Sequence, residues 1–166
     1  MLYRSWDFRL RRPGPTHVRT QRWDGKHMAW YSDGKPGLGG HEMRDLAYVP
    51  IRPLPPDVVV CEGEKATDAV IDAGYCAIGT VCGASSTPGE EFIRALVDHR
   101  VILWPDHDAV GYEHMGRIGT TLWDLGAKVG VVRVSKDAAP HTDAADFNPK
   151  RIALMIADAL WRADYR

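Results

Sequence analysis

Two apolar runs in this chain stop abruptly at carboxylates, and that pattern constrains the fold more than any other feature. Val58-Val59-Val60-Cys61 runs into Glu62-Gly63-Glu64-Lys65, and Val101-Ile102-Leu103-Trp104 runs into Pro105-Asp106-His107-Asp108. An uninterrupted apolar run of about four or five residues reads as a strand buried on both faces, as in a parallel sheet between helix layers. Ligands of open α/β sheets bind just past the carboxyl ends of such strands. Two neighbouring strands ending this way would aim Glu62, Asp106 and Asp108 at one small volume. Carboxylates that close repel and raise one another's pKa unless a cation lies among them. An all-oxygen donor set suits Mg2+ or Mn2+.

From Asp57 onward the pattern alternates strand and helix, as an α/β domain requires. Strands are expected at Val58–Cys61, Cys76–Val81, Val101–Trp104 and Lys128–Val134. Helices are expected over Glu64–Ala73, after Thr87-Pro88-Gly89-Glu90, over Val110–Leu125, and after Asn148-Pro149. Gly74 and Gly126 stop two of them. Thr87 and Glu90 have the spacing of a capping box, with Pro88 fitting the first turn. Gly83-Ala84-Ser85-Ser86 reads either as a plain turn or as a phosphate cradle. One Asp of the Asp106/Asp108 pair could also simply cap the following helix, although capping explains neither Glu62 nor Asp146. Glu64 and Lys65 are open between solvent-facing helix residues and, respectively, an outer metal ligand and a phosphate contact.

The 166 residues suit one domain with an appendage. The net charge of −1 hides a split: residues 1–56 hold 10 Lys and Arg against 5 Asp and Glu, whereas 57–166 hold 11 against 17. A basic front beside an acidic rear fits a polyanion-binding arm next to a carboxylate site. Arg9, Arg11, Arg12, Arg19 and Arg22 interleave with Trp6, Trp23 and Trp30. Guanidinium for phosphate and indole for base stacking suit a single strand; the competing reading makes those tryptophans core of a small β subdomain. Brief strands are expected at Thr16–Arg22 and His27–Tyr31, with turns at Asp24-Gly25 and Asp33-Gly34. Pro50, Pro53, Pro55 and Pro56 mark a stiff linker, so the expected division is a β-rich extension over 1–56 and a second domain over 57–166. Cys61, Cys76 and Cys82 form no Cys-x-x-Cys pair, and Cys61 reads as a small buried hydrophobe. No run approaches the ~18 apolar residues of a membrane span. The N-terminus lacks a signal peptide's apolar stretch, so cytoplasm is the expected location.

Taken together, Glu62-Gly63-Glu64-Lys65, Pro105-Asp106-His107-Asp108-Ala109-Val110-Gly111 and Asp143-Ala144-Ala145-Asp146 resemble, in order and in context, the Toprim domain. They look closest to the primase-like Toprim of phages and mobile elements. The resemblance spans Val58 to Phe147, and the segment before it is more loosely similar to what precedes Toprim in that group. It departs from the pattern at Ala66, where many primases have Asp, and at Thr142, where Lys is frequent.

The resemblance implies a parallel sheet flanked by helices and a divalent-metal nucleotidyltransferase acting on nucleic acid, with primer synthesis on single-stranded DNA as the leading expectation. It implies Glu62, Asp106 and Asp108 as catalytic groups, and Glu62, Asp106, Asp108, Asp143 and Asp146 as the Mg2+ or Mn2+ set. Lys65, Arg9, Arg11, Arg12, Arg19, Arg22 and Trp23 would bind nucleic acid or phosphate. Partners would be single-stranded DNA and nucleotides, with no membrane. The sequence contains no Gly-x-x-x-x-Gly-Lys-Ser/Thr motif, so a replicative helicase would act in trans. The alternatives are a metal-dependent nuclease, and a non-catalytic nucleic-acid or partner-binding module or the catalytic fragment of a primase-helicase.

Overall fold

A computed structural model describes residues 2–7, 17–21, 28–40, 42–48, 53–81 and 83–161. Its strands are β1 (Leu2–Asp7), β2 (His17–Gln21), β3 (Met28–Ser32), β4 (Lys35–Pro36), β5 (Leu46–Tyr48), β6 (Asp57–Glu62), β7 (Ala77–Thr80), β8 (Arg100–Trp104), β9 (Lys128–Val131) and β10 (Leu160–Trp161). The helices are α1 (Gly63–Asp72), α2 (Glu90–Arg94), α3 (Ala109–Asp124) and α4 (Pro149–Ala157). The described strands form one sheet in the order β10-β9-β8-β6-β7-β5-β1-β2-β3-β4.

β6 is central and pairs in parallel with β7 and β8, and β8 pairs in parallel with β9. These are the strands that the apolar runs predict, and the alternation along each one sorts its side chains between two cores. Val58, Val60, Val101, Leu103 and Val129 pack with Phe92 of α2 and with Met115 and Ile118 of α3. Val59, Cys61, Ile102 and Trp104 pack on the other face with Ala66 and Val70 of α1 and Ile152 and Met155 of α4. Burial on both faces is why the sequence reads apolar without a period of two. The fold is therefore α/β, with a mixed sheet between helix layers and a small antiparallel N-terminal portion.

That portion joins the same sheet. β5 runs antiparallel to β7, with Ala47 opposite Thr80, and β1 pairs with β5 and β2. β1 and β5 lack a clear alternation and are not legible in the sequence. At the β3–β4 hairpin Asp33 and Gly34 have φ of 50° and 79°. Two positive φ values between Ser32 and Lys35, which pair, make the right-handed twist that an Asp-Gly turn favours. The expected Asp24-Gly25 turn lies outside the described residues.

Two local expectations need correction, and one strand was not foreseen. α2 is capped by the Gly89 backbone without a side-chain bond, so Thr87 and Glu90 form no capping box. Glu90 instead bonds Arg94 at 2.6 Å, and Thr87 Oγ1 accepts from Arg117 at 3.2 Å. β9 ends at Val131 rather than Val134. Its ladder stops where β8 reaches Pro105, which has no N–H to donate, although Val132 N still bonds Leu103 O at 2.9 Å. β10, antiparallel to β9, was not expected, because two residues carry no period; Trp161 lies against Gly130, where an added Cβ would meet its ring at 3.1 Å.

The approach of α1 to β7 leaves no room for a side chain at Gly79. A Cβ there would sit 2.6 Å from Thr67 Oγ1 and 2.7 Å from Gly63 O. Gly79→Ala should therefore cost about 1–3 kcal/mol of stability, read as a lower urea midpoint; an unchanged midpoint would contradict this packing.

Candidate active site at the carboxyl rim of the sheet

Glu62 ends β6, and the chain turns at once into α1 through Gly63 at φ 73°. Only glycine adopts that conformation freely, which accounts for the Glu-Gly pair. Glu62 occupies the helix N-cap position, yet its side chain makes no capping bond. The carboxylate instead accepts from the amide of Ala84. Its Oε2 atom is buried without a hydrogen-bond partner. Burial, and then the nearby Asp108 carboxylate, push its pKa above the ordinary value, with the Ala84 amide opposing. The loop carrying Ala84 is held from α3: Arg117 Nη2 donates to Ala84 O at 2.6 Å. The small-residue loop thus turns its Ala84 amide toward Glu62.

Asp106 and Asp108 follow β8 and have separate tasks. Asp108 caps α3, its Oδ1 accepting from Gly111 N at 2.7 Å, and its Oδ2 lies 2.5 Å from His141 Nδ1. The backbone amide of Gly111 leads in holding its pKa low, with His141 adding to the effect. The helix-cap reading is therefore right for Asp108, and the residue still contributes charge to the site. Asp106 does not cap. Burial and repulsion from Glu62, Asp143 and Asp108, in that order, push its pKa from an ordinary 3.8 to about 7. Gly111 explains the glycine of the Pro-Asp-x-Asp-x-x-Gly block: a Cβ there would fall 2.7 Å from Asp106 O. His107 turns aside, its Nδ1 3.1 Å from Tyr112 Oη.

The late acidic loop is stitched to this rim by the backbone. His107 N donates to Thr142 O at 2.9 Å, and His141 N donates to His107 O at 3.1 Å. Asp143 and Asp146 share a reciprocal capping box around the 3-10 turn Ala144–Asp146: Asp143 Oδ1 accepts from Ala145 N at 2.6 Å, and Asp146 Oδ2 from Asp143 N at 2.9 Å. Lys65 Nζ stands 3.6 Å from Asp143 Oδ2 and is largely exposed. Glu64, left open in the sequence, is 4% exposed.

The rim wraps around the end of the sheet. Glu62 continues the side of Val58 and Val60 and lies by Asp108 on the α3 side. Asp106 and Asp143 both bear on Cys61, which belongs to the α1–α4 side. Among the described residues no three His, Cys, Asp or Glu side chains already converge to hold one ion. The donor set still fits a hard divalent cation in kind: oxygen alone, one orphaned buried carboxylate oxygen, and one carboxyl kept partly protonated by burial and by its carboxylate neighbours. Glu62, Asp106 and Asp108 are the residues that would hold it.

Sequence reasoning missed His141, which has φ 63° and sits in a loop with no spacing signal. It also missed buried His114, 3.2 Å from Thr80 Oγ1 behind the Glu62 loop. Of the expected nucleic-acid contacts, Arg9, Arg11, Arg12, Arg22 and Trp23 lie outside the described residues. Arg19 is in β2, in register with Trp30 and Tyr3. No described helix is long and apolar enough to cross a membrane.

No protein-family model matches the sequence, and no curated protein matches it. Solved structures do. The DnaG primase catalytic domain bound to ssDNA is 14% identical with a TM-score of 0.59, over 88% of this chain and 52% of the other. A DNA primase domain from Pseudomonas aeruginosa is 18% identical with a TM-score of 0.61, over 92% and 54%. A chain from the structure of bacteriophage T7 lagging-strand DNA polymerase with primase domains of two gp4 subunits, bound to an RNA/DNA hybrid and dTTP, is 15% identical with a TM-score of 0.63, over 96% and 78%. The chain spans about half the length of the DnaG catalytic chains it matches. At these identities the likeness establishes the fold, a primase-like Toprim arrangement.

The raised pKa of Asp106 has a consequence for stability. Between its ordinary 3.8 and about 7 the folded state keeps a proton that the unfolded chain has lost. Its contribution is thus fully present below pH 3.8 and is lost as pH rises through about 7. With no divalent metal, Asp106→Asn should be more stable than the parent at about pH 8 by about 1–2 kcal/mol, after allowance for solvent screening of a half-exposed group. The gain should vanish toward about pH 4 in urea unfolding. Parallel stability curves for the two proteins would contradict the crowding of these carboxylates.

Proposed function

We propose that this chain is a primase-like nucleotidyltransferase that extends a 3′-hydroxyl on a single-stranded DNA template. The observation that carries the reading is the gathering of Glu62, Asp106 and Asp108 at the carboxyl ends of adjacent parallel strands, where burial and then Glu62 raise the proton affinity of Asp106, and burial and then Asp108 raise that of Glu62. That rim is where an open α/β sheet takes its ligand, and the fold is that of DnaG catalytic domains. Residues 57–166 would form the catalytic unit, with 1–56 extending its sheet and supplying basic contacts to the strand.

Asp106 and Asp108 would hold Mg2+ or Mn2+, with Glu62 as a further ligand or as the base and Asp143 and Asp146 in support. The cation, when bound, neutralises charge on the reacting phosphate and favours the alkoxide of the attacking hydroxyl. Glu62 has proton affinity above that of an ordinary carboxylate and a free buried oxygen, so it suits taking the hydroxyl proton. The 3′-oxygen then bonds to the α-phosphorus while the bond to pyrophosphate breaks. Lys65 stands at the mouth of the site, tethered loosely to Asp143, and is free to swing to a phosphate.

Incubation with labelled single-stranded DNA, a primer, nucleotides and Mn2+ tests this directly. The parent should lengthen the primer. Asp106→Asn with Asp108→Asn, which keeps an amide oxygen to cap α3, should lose roughly a thousandfold or more of that rate. Shortening of the strand in place of lengthening would replace polymerisation with nuclease action. Undiminished synthesis by the double variant would overturn the site.

A further inference from the structure

A second surface beside the carboxylate rim has the chemistry of a strand-binding groove. It measures about 820 Å3 and opens past the carboxyl end of β9, between the start of α3 and the length of α4. Arg133 and Lys136 reach it from the segment after β9, and Arg151 from the first turn of α4. Asp158 is the single carboxylate among its lining residues, about 10 Å from Arg151 along the helix at ~1.5 Å per residue. Arg133, Lys136 and Arg151 are exposed, and among the described residues none is in an ion pair.

The rest of the lining differs in kind. Val131, Val134, Met155 and Leu160 make an apolar wall. At one end stand His107 and Tyr112, rings edge to face at 5.9 Å, with Tyr112 41% exposed. His107 is the middle residue of the Asp106-His107-Asp108 turn, so the groove is contiguous with the catalytic rim.

We infer that this groove takes the backbone of single-stranded nucleic acid, with phosphates on Arg133, Lys136 and Arg151 and an unstacked base against Tyr112. This deepens the proposed function and rests on it for the direction of the strand toward the rim. Three unpaired cations facing one carboxylate select a polyanion. An apolar wall and an exposed aromatic ring lining the same groove select one whose bases are available to stack, which a duplex does not offer. The groove lies on the β9–β10 side of the sheet, whereas the described N-terminal strands β1–β4, with Arg19 in β2, lie at its other edge. The strand would thus be gripped on both sides of the carboxylates.

The test is fluorescence-anisotropy titration of a labelled oligothymidylate of about 20 nucleotides onto the full chain, without divalent metal and at several salt concentrations. Replacing Arg133, Lys136 and Arg151 together with Ala should weaken binding roughly tenfold or more. It should also flatten the plot of log affinity against log salt by about 2, since each lost phosphate contact removes about 0.7. The triple Arg133→Lys, Lys136→Arg, Arg151→Lys exchange should keep the parent slope. Lys128→Ala, at the opposite end of β9, should change neither quantity. Unaltered affinity and slope in the triple Ala variant would overturn the inference. So would loss confined to dTTP binding, which assigns the groove to a mononucleotide, or equally effective displacement by polyglutamate, which assigns it to acidic peptides. Primer synthesis that survived loss of the Asp106 and Asp108 carboxylates would overturn the proposed reaction and leave this binding result standing.

Discussion

Burial of carboxylates beside one another at the end of a parallel sheet governs the chemistry of this molecule. β6 and β8 are neighbours in register, Cys61 opposite Trp104, so whatever follows each strand emerges at the same rim. Glu62 follows one and Asp106 the other. Among the described residues neither is in an ion pair with a cationic side chain, and Lys65 pairs instead with Asp143. The outcome is a half-buried Asp106 that keeps its proton up to about pH 7 and a Glu62 oxygen buried with no partner. Such an arrangement costs folding stability and is tolerated where function requires it.

The surrounding structure holds that strained arrangement by removing space. Gly63 provides the left-handed turn that sends α1 off directly after Glu62. Gly111 lets the first turn of α3 lie on the Asp106 backbone, and Gly79 lets α1 lie on β7. Asp108 ties α3 to the rim through its cap, and two backbone bonds between His107 and the 141–142 segment close the acidic loop over it. Each of these contacts fixes a carboxylate by fixing its backbone, so the charges cannot drift apart. Preorganisation of this kind means little reorganisation when a charged ligand arrives.

The parallel core was legible because strands buried on both faces write themselves as uninterrupted apolar runs. Glu62, Asp106 and Asp108 were legible because they end those runs. The extra strands were not: β1 has mixed polarity, β5 is three residues long and β10 two, so none presents a period. Thr87 failed as a cap because Arg117, thirty residues away, takes its hydroxyl, a tertiary contact invisible to local spacing. Asp143 and Asp146 were read as one late acidic pair, and the structure separates their tasks: both spend an oxygen on the 3-10 turn, while only Asp143 meets Lys65. Burial of Glu64 in the first turn of α1, and the ring of His141 against Asp108, likewise depend on neighbours distant in sequence.

On the proposed reading a divalent cation and a proton would compete for this rim. Calorimetric titration with Mn2+ at about pH 7, repeated in buffers of different ionisation enthalpy, measures the protons displaced per ion. With the Asp106 pKa at about 7, roughly half a proton should leave with each ion bound, and Asp106→Asn should release none from this position. Binding with no proton release by the parent chain, or release unchanged in the variant, would contradict the account.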